Sequence, residues 1–546
     1  MEDAYFGSWS LRKLKEAFRY LTRLENTTVK ICLFIDGLDE FDGDHDSMAT
    51  FFKEITDSKM IKVCLSSRPW VVFEDVFHGC PGLRLQNLTF RDIERYVKDK
   101  LSQNDAFRRL ASKNPFEAKR LELEIVEKAD GVFLWVVLVV LSLLRGIRNR
   151  DNISDLWERL RLLPKELEPL YHRLLDLIEP MYMAWASKAF QIVRTNHLLG
   201  LAPFGIVYDE ASGVKALSLG AFTLAMNTEV GIETIRSWDV NMLPLDVNCD
   251  DMLVQLTARC AGLLEVSKAT KNGVPLAGSA VQYYHRTARD FLETASTWSR
   301  LLSHTSGSDF DPAVAMMRSC LMSLRLGTSA QLSSTRIGTH LELTENFMTY
   351  AYHADAHTKS HATRHALLDC FNKIRTRRSG HSNKWMLDLL LLPISGRHLT
   401  FTEFSALYGL RGYLEEKFCQ FGQVHNKEES TKLLRLVLRF HGCPNRFAKL
   451  LAPSAPSKIV PLLLEYGADP NDTEDGLSAW QEALQRLVEP SHVPQGHLMI
   501  MKILVQSGAD LGEQLPGTEY GTLKNLVESF LLPKYLEEAT ELLQVI

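Results

Sequence analysis

Apolar residues fall into short continuous runs near the start of the chain and into helix-spaced stripes after it. The first run is Lys30-Ile31-Cys32-Leu33-Phe34-Ile35-Asp36-Gly37-Leu38-Asp39-Glu40, where five apolar residues lead straight into an acidic cluster. Such a run, closed by a turn, predicts a buried parallel strand over 31–36. Its acids then stand at the carboxyl end, the side on which open α/β sheets bind ligands. Ile61-Lys62-Val63-Cys64-Leu65 predicts a second strand ending in Ser66-Ser67-Arg68-Pro69-Trp70, and Leu83-Arg84-Leu85 a third, short one. Before them, Leu11, Leu14, Phe18 and Leu21 share one helical face behind a Ser10 cap. Strands alternating with helices at this spacing predict βαβ units and a parallel sheet.

From about 90 to 200 the pattern is helical, punctuated by Pro164, Pro169 and Pro180. Within it, Gly131–Leu144 is an almost unbroken apolar run of fourteen residues followed by Arg145, Arg148 and Arg150. A bilayer needs about 20, so the run predicts a buried helix, not a membrane span. Residues 200–295 mix short apolar runs with turn residues, as a small α/β or winged-helix module would. Helical patterns dominate 310–375, and the basic stretch Lys373–Gly380 predicts a linker.

The tail repeats itself weakly. Pro461-Leu462-Leu463-Leu464-Glu465-Tyr466-Gly467-Ala468-Asp469-Pro470-Asn471 is echoed by Met501-Lys502-Ile503-Leu504-Val505-Gln506-Ser507-Gly508-Ala509-Asp510. Each is an apolar helix stopped by a glycine. Thr400–Leu410 and Leu433–Asn445 read as earlier units of the same kind. The 41 residues from Gly467 to Gly508 exceed the roughly 33 of an ankyrin unit. The tail is therefore expected to hold degenerate ankyrin-like repeats with insertions, against the alternative of unrelated helical hairpins with glycine caps.

Composition narrows the class. The chain has 546 residues, 45% hydrophobic and 24% charged, with net charge −5. That is ordinary for a globular protein and provides no strong field for nucleic acid or an anionic membrane. Nine scattered cysteines form no C-x-x-C pair, which disfavours a zinc ribbon and favours a reducing, cytoplasmic setting. Asp42-Gly43-Asp44-His45-Asp46 fails as a calcium loop because Ser47 and Lys53 replace the required Gly and Glu; it reads as a solvated turn. His353, His357, His361 and His365 would form a metal-binding stripe on one unbroken helix, but Thr358-Lys359-Ser360 reads as a break. No hydrolase triad can be placed from spacing.

Phe34-Ile35-Asp36-Gly37-Leu38-Asp39-Glu40 resembles the extended Walker B motif of NACHT-type signalling ATPases of the STAND class. Cys64-Leu65-Ser66-Ser67-Arg68-Pro69-Trp70 resembles the sensor strand that follows it in filamentous-fungal, NLR-like members. Phe41–His45, Ala129–Val136, Ile153–Leu156 and Leu163–Tyr171 extend the likeness, which covers roughly 8–300. Tyr283-Tyr284-His285-Arg286-Thr287-Ala288-Arg289-Asp290-Phe291-Leu292 is similar to the winged-helix His motif of these switches. The resemblance implies that Asp36 holds Mg²⁺, directly or through water. It implies that Asp39 or Glu40 polarises the attacking water, that Arg68 senses the γ-phosphate, and that His285 touches the β-phosphate of ADP. Each has a structural alternative: a helix cap for Asp36, an ion pair for Arg68, a packing histidine for His285.

One part of the family pattern is missing. No G-x-x-x-x-G-K-[ST] occurs in the sequence, and that loop supplies the N–H groups and lysine around the phosphates. In the family it lies upstream of the acids, before where Met1 falls. ATP or ADP with Mg²⁺ is thus the implied cofactor, with none bound as the alternative.

The expected fold class is α/β, a truncated parallel P-loop-type sheet, followed by mostly α structure. The expected domains are a partial NACHT core at 1–90, a helical domain at 91–200 and a winged-helix-like module at 201–295. A helical domain at 296–385 and ankyrin-like repeats at 386–546 complete the chain. Loss of a strand and helix should leave one sheet edge or face exposed. The expected function is NACHT-type signalling or innate recognition without hydrolysis by this chain. A protein ligand would meet the repeats, homo-oligomers would form on activation, and neither nucleic acid nor membrane would be a partner. A non-enzymatic interaction scaffold and an incomplete product of an active ATPase gene are the alternatives.

Overall fold

A computed structural model describes residues 11–22, 30–41, 43–58, 60–68, 70–84, 88–200, 217–227, 249–266, 270–271, 274–275, 278–326, 340–355, 361–377, 400–420, 423–441, 455–474, 477–488, 496–512, 522–531 and 536–546. The described chain is mostly helical, with few strands. Its contacts divide it into two units, Met1–Val140 and Leu141–Ile546. Among the described residues no helix is long and apolar enough to cross a membrane.

The first unit starts with α1 (Leu11–Thr22); its expected cap, Ser10, lies outside the described residues. β1 (Ile31–Ile35) and β2 (Ile61–Leu65) pair in parallel, in register from Ile31↔Ile61 to Ile35↔Leu65. Alternation splits each strand between two faces. Ile31, Leu33, Val63 and Leu65 pack on a core of Leu38, Met48, Ala49, Phe51, Ile55, Ile61 and Phe73. Much of that core comes from α2 (His45–Ile55) and α3 (Val71–Val76). Asp44 caps α2 by accepting from the Asp46 N–H at 3.2 Å, so the expected solvated turn is a helix start. The opposite face is open: Cys32, Lys62 and Cys64 are exposed, and Phe34 is 81% exposed. Parallel sheets are normally covered on both faces.

The third expected strand does not form at Leu83 and Arg84, which belong to no strand; Leu85 lies outside the described residues. Leu83 is 71% exposed, and a three-residue run without a buried partner has little to hold it in a sheet. Three helices follow, α4 (Phe90–Ser102), α5 (Asp105–Lys113) and α6 (Pro115–Lys128), which bury Ile93, Val97, Leu101, Phe107, Leu121 and Ile125. The fourteen-residue apolar run lies in α7 (Phe133–Arg148), buried from Trp135 to Val140 and again at Leu143 and Ile147.

In the second unit, α8 (Ile153–Arg161), α9 (Leu167–Asp176) and α10 (Pro180–Gly200) lead to a small antiparallel sheet. Its order is β3 (Leu217–Ser218), β7 (Ala280–Tyr283), β4 (Leu264–Val266). A two-stranded ribbon, β5 (Thr270–Lys271) with β6 (Val274–Pro275), lies between β4 and β7 in the chain. Helices α11 (Leu219–Met226), α12 (Cys249–Arg259) and α13 (Arg286–Leu292) flank the strands. Buried Gln191 ties α10 to the end of α14 (Ala295–Ser303) by donating to Thr305 Oγ1 at 2.8 Å.

Then come α15 (Pro312–Leu326), α16 (His340–Asp355) and α17 (His361–Arg377). The expected linker at Lys373–Gly380 is helical through Arg377, because Lys, Ile and Arg propagate a helix as readily as they decorate a loop. The boundary expected at 385 lies outside the described residues.

The tail holds α18 (Phe401–Leu407), α19 (Arg411–Gln420), α20 (Gln423–Phe440), α21 (Ala455–Glu465), α22 (Ala479–Val488) and α23 (His497–Gln506). Thr400 and Glu403 form a capping box on α18. The two echoed segments end alike: Gly467 and Gly508 take φ of 87° and 91°, the left-handed region a side chain resists. Asn471 joins the two turns, donating to Gly508 O at 2.8 Å and accepting from the Asp510 N–H at 2.9 Å. A short hairpin, β8 (Thr473–Glu474) with β9 (Leu477–Ser478), separates the first turn from α22.

Candidate functional site at the carboxyl end of the parallel strands

Three of the singled-out side chains, Asp36, Asp39 and Arg68, meet where β1 and β2 end. The strand pairing continues past the last ladder residue: Ser66 N–H donates to Ile35 O at 2.9 Å, and Leu38 N–H to Ser66 O at 2.8 Å. Gly37 turns the chain between them with φ 69°. That left-handed φ resists a side chain, while the Glu40 carboxylate that an added Cβ would meet at 2.7 Å is exposed and can move aside. The turn buries Leu38, 4% exposed, and leaves Asp36 at the surface.

Ser66 was not anticipated. Its hydroxyl accepts from the Gly37 N–H at 3.0 Å and donates to Asp36 Oδ1, so it fixes the carboxylate's orientation at the strand end. No spacing rule signals it, because the two residues lie 30 positions apart.

Asp39 is held differently. Its side chain is 7% exposed, Oδ1 accepts from the Arg68 backbone N–H at 3.0 Å, and Oδ2 lies 3.3 Å from Arg68 Nε. Both oxygens are engaged by one residue. Glu40 is exposed, with its side chain folded beside Gly37. Arg68 is 49% exposed at its side chain. Behind the site, Trp70 stacks on Phe73 at 5.9 Å, and His45 meets both rings edge-on. His45 Nε2 lies 3.3 Å from Asp39 O, which ties α2 to the acidic turn.

The site thus carries three carboxylates and one guanidinium, a local excess of negative charge that a divalent cation would neutralise. Among the described residues no group of three or more His, Cys, Asp or Glu is arranged to hold a metal. Asp36 fits Mg²⁺ in the mode that ion favours, with one carboxylate and the remaining ligands from water and phosphate oxygens. The phosphate-cradling loop has no counterpart in the sequence.

His285 lies in the second unit, at the start of α13. Its Nδ1 accepts from the Thr287 N–H at 3.2 Å and lies 2.9 Å from Thr287 Oγ1, which is 2.7 Å from the Tyr171 hydroxyl. An imidazole that accepts at Nδ1 carries its proton on Nε2 when neutral. The exposed ring therefore offers a donor at Nε2.

The histidine stripe is not one helix among the described residues. His353 belongs to α16, His361 and His365 belong to α17, and His357 lies outside the described residues. His365 contacts Glu416 through Nδ1 and takes a 3.4 Å contact from Arg364 Nη2 at Nε2.

Comparison with known families finds one match. Residues 177–334 fit a family model described as a domain of unknown function, DUF7791. That span holds the antiparallel sheet, α13 and His285. No curated protein and no solved structure matches the chain.

Proposed function

We propose that this chain is a signalling protein of the NACHT class, in which the ends of β1 and β2 form the metal-binding half of a nucleotide site. The observation that carries this reading is the meeting of Asp36, Asp39, Ser66 and Arg68 at one sheet terminus, from segments 30 residues apart. In this reading Asp36, oriented by Ser66, holds Mg²⁺, and the exposed Arg68 meets phosphate. Asp39 or Glu40 would polarise water, and Glu40 is the more exposed of the two. His285, with its exposed Nε2 donor, is a separate candidate phosphate contact within the second unit. The sheet and helices of 217–292 would serve as the winged-helix-like module, and the Asn471-linked turns as ankyrin-like units that bind a protein ligand. Self-association would follow activation in the cytoplasm.

Binding without turnover is expected, because the lysine-bearing phosphate loop is not in this sequence. The test is calorimetric titration of the purified chain with Mg·ATP and Mg·ADP at millimolar concentration. Heat of binding that disappears in Asp36→Asn supports the reading; a flat trace for the unaltered protein defeats it.

The open face of the β1–β2 sheet favours a second reading, a scaffold that uses its ATPase-like core only as a platform. In that case Asp36→Ala leaves partner binding intact.

A further inference from the structure

We propose that Cys32 and Cys64, on the open face of the β1–β2 sheet, form a two-coordinate site for a soft monovalent metal ion, and that cuprous ion is the one it fits. The site is on the face opposite the core and is independent of the nucleotide reading.

Register and alternation place the two thiols. Cys32 pairs with Lys62 across the strands, and Phe34 with Cys64. All four are exposed and stand on one face, so the cysteines are diagonal neighbours on adjacent strands. Both are free thiols. With strands about 4.8 Å apart and a rise of about 3.3 Å per residue, their Cα atoms are separated by about 8 Å. A disulfide needs backbone movement beyond roughly 7 Å, so oxidation does not close this pair readily. A metal ion reaches further. Two bonds of the zinc–thiolate length, laid end to end, span about 4.6 Å, against about 2 Å for a sulfur–sulfur bond. Thiols that share a face close the remaining gap by leaning toward each other.

The ligand set selects the ion. Zinc takes four ligands in a tetrahedron, and among the described residues no group of three or more His, Cys, Asp or Glu is arranged to supply them. Thiolate is a soft ligand that favours cuprous ion, and two thiolates in line satisfy that ion. Binding converts two thiols and one Cu⁺ into a bis-thiolate complex of charge −1 and releases two protons, with no change of oxidation state. The Lys62 ammonium, beside Cys32 in the register, carries the opposite charge. Phe34, beside Cys64, gives the complex an apolar flank.

The test is an anaerobic titration of the reduced full chain with cuprous ion, in competition with the coloured chelator bicinchoninate. The unaltered chain should withdraw one equivalent of copper. Cys80→Ser and Cys419→Ser, which alter exposed cysteines elsewhere, should withdraw the same amount. Cys32→Ser and Cys64→Ser should each weaken binding by more than about a hundredfold, since losing a group that merely supports a metal's ligands already costs roughly 10- to 100-fold. X-ray absorption at the copper edge should show two sulfur ligands. The proposal is overturned if the unaltered chain withdraws no copper, if Cys32→Ser or Cys64→Ser retains it, or if the spectrum shows three or more sulfurs. Should a serine variant fail to fold, the unaltered chain decides. Cuprous ion should then shield Cys32 and Cys64 together from iodoacetamide, read by peptide mass spectrometry; shielding of one alone, or of neither, overturns the proposal.

Discussion

Two aspartate–arginine pairs, one chosen from each unit, are opposites. In the first, Asp39 meets Arg68 through one side-chain nitrogen, with the guanidinium half in solvent. In the second, Arg364 is fully buried and Asp355 nearly so, at 0% and 6% side-chain exposure, and several neighbours hold them. Arg364 Nη1 donates to Ala354 O at 2.7 Å, and Nη2 lies 2.9 Å from His361 Nδ1 and 3.4 Å from Asp355 Oδ1. Asp355 Oδ2 accepts from the Gly412 N–H at 2.9 Å. Gly412 is required by this approach, because a Cβ there would lie 2.9 Å from Arg364 Nη2. The same two residue types thus make a fixture joining α16, α17 and α19 in one place and a half-exposed contact in the other. Burial and the number of additional donors separate them.

Breaking the buried fixture should have the largest effect. Arg364→Met strands Asp355 away from water, and removing one partner of a buried pair costs about 3–5 kcal/mol. The denaturant midpoint of the second unit should fall accordingly.

Acid probes the same place more gently. Burial, with Arg364 and His361 nearby, holds the His365 pKa down to about 4 from an ordinary 6.5. A histidine kept neutral by the fold takes up its proton more readily when unfolded. Its contribution is therefore intact above pH 6.5 and is lost as pH falls from there toward about 4. The loss is on the order of 3 kcal/mol, and Asp369 is the neighbour that opposes the shift. Asp355, whose pKa burial raises, works in the opposite sense. The His365 share is thus read as the difference between the stability–pH profiles of the unaltered chain and His365→Gln.

Asn471→Ala removes both bonds that link the two glycine turns of the tail and should cost about 1–2 kcal/mol. The loss should appear as reduced hydrogen-exchange protection near Asp510. At the exposed pair, Arg68→Ala should change stability by less than about 1 kcal/mol. A loss as large as that of Arg364→Met would mean that Arg68 is a structural fixture too, and the contrast between the pairs would disappear.

The parallel strands were legible in the sequence almost to the residue, because a short apolar run closed by Gly or Ser has few other uses. The helix at 133–148 was legible for the same reason. Local pattern failed where a partner far along the chain decides. Leu83-Arg84 looks strand-like until it is seen that, among the described residues, no strand pairs with it. Lys373–Arg377 looks like a linker until α17 is seen to run through it. The site divides the same way. The acids announced themselves, but the hold of Ser66 on Asp36 spans 30 residues and leaves no periodicity. His365 stood out as one of four regularly spaced histidines; its real neighbours, Arg364 beside it and Glu416 some fifty residues on, give the spacing a different meaning. The cap formed by His285 left no signal in the sequence, because its donor is the backbone N–H of Thr287, which almost any residue there would supply.

The central claim is that Asp36, and not its neighbours, holds the metal of a metal–nucleotide complex. Manganese in place of magnesium tests it most directly, by the enhancement of water-proton relaxation when Mn·ATP joins the protein. The account predicts an enhancement for the unaltered chain, its retention in Asp39→Asn and its loss in folded Asp36→Asn. Equal enhancement in Asp36→Asn and the unaltered chain would contradict it.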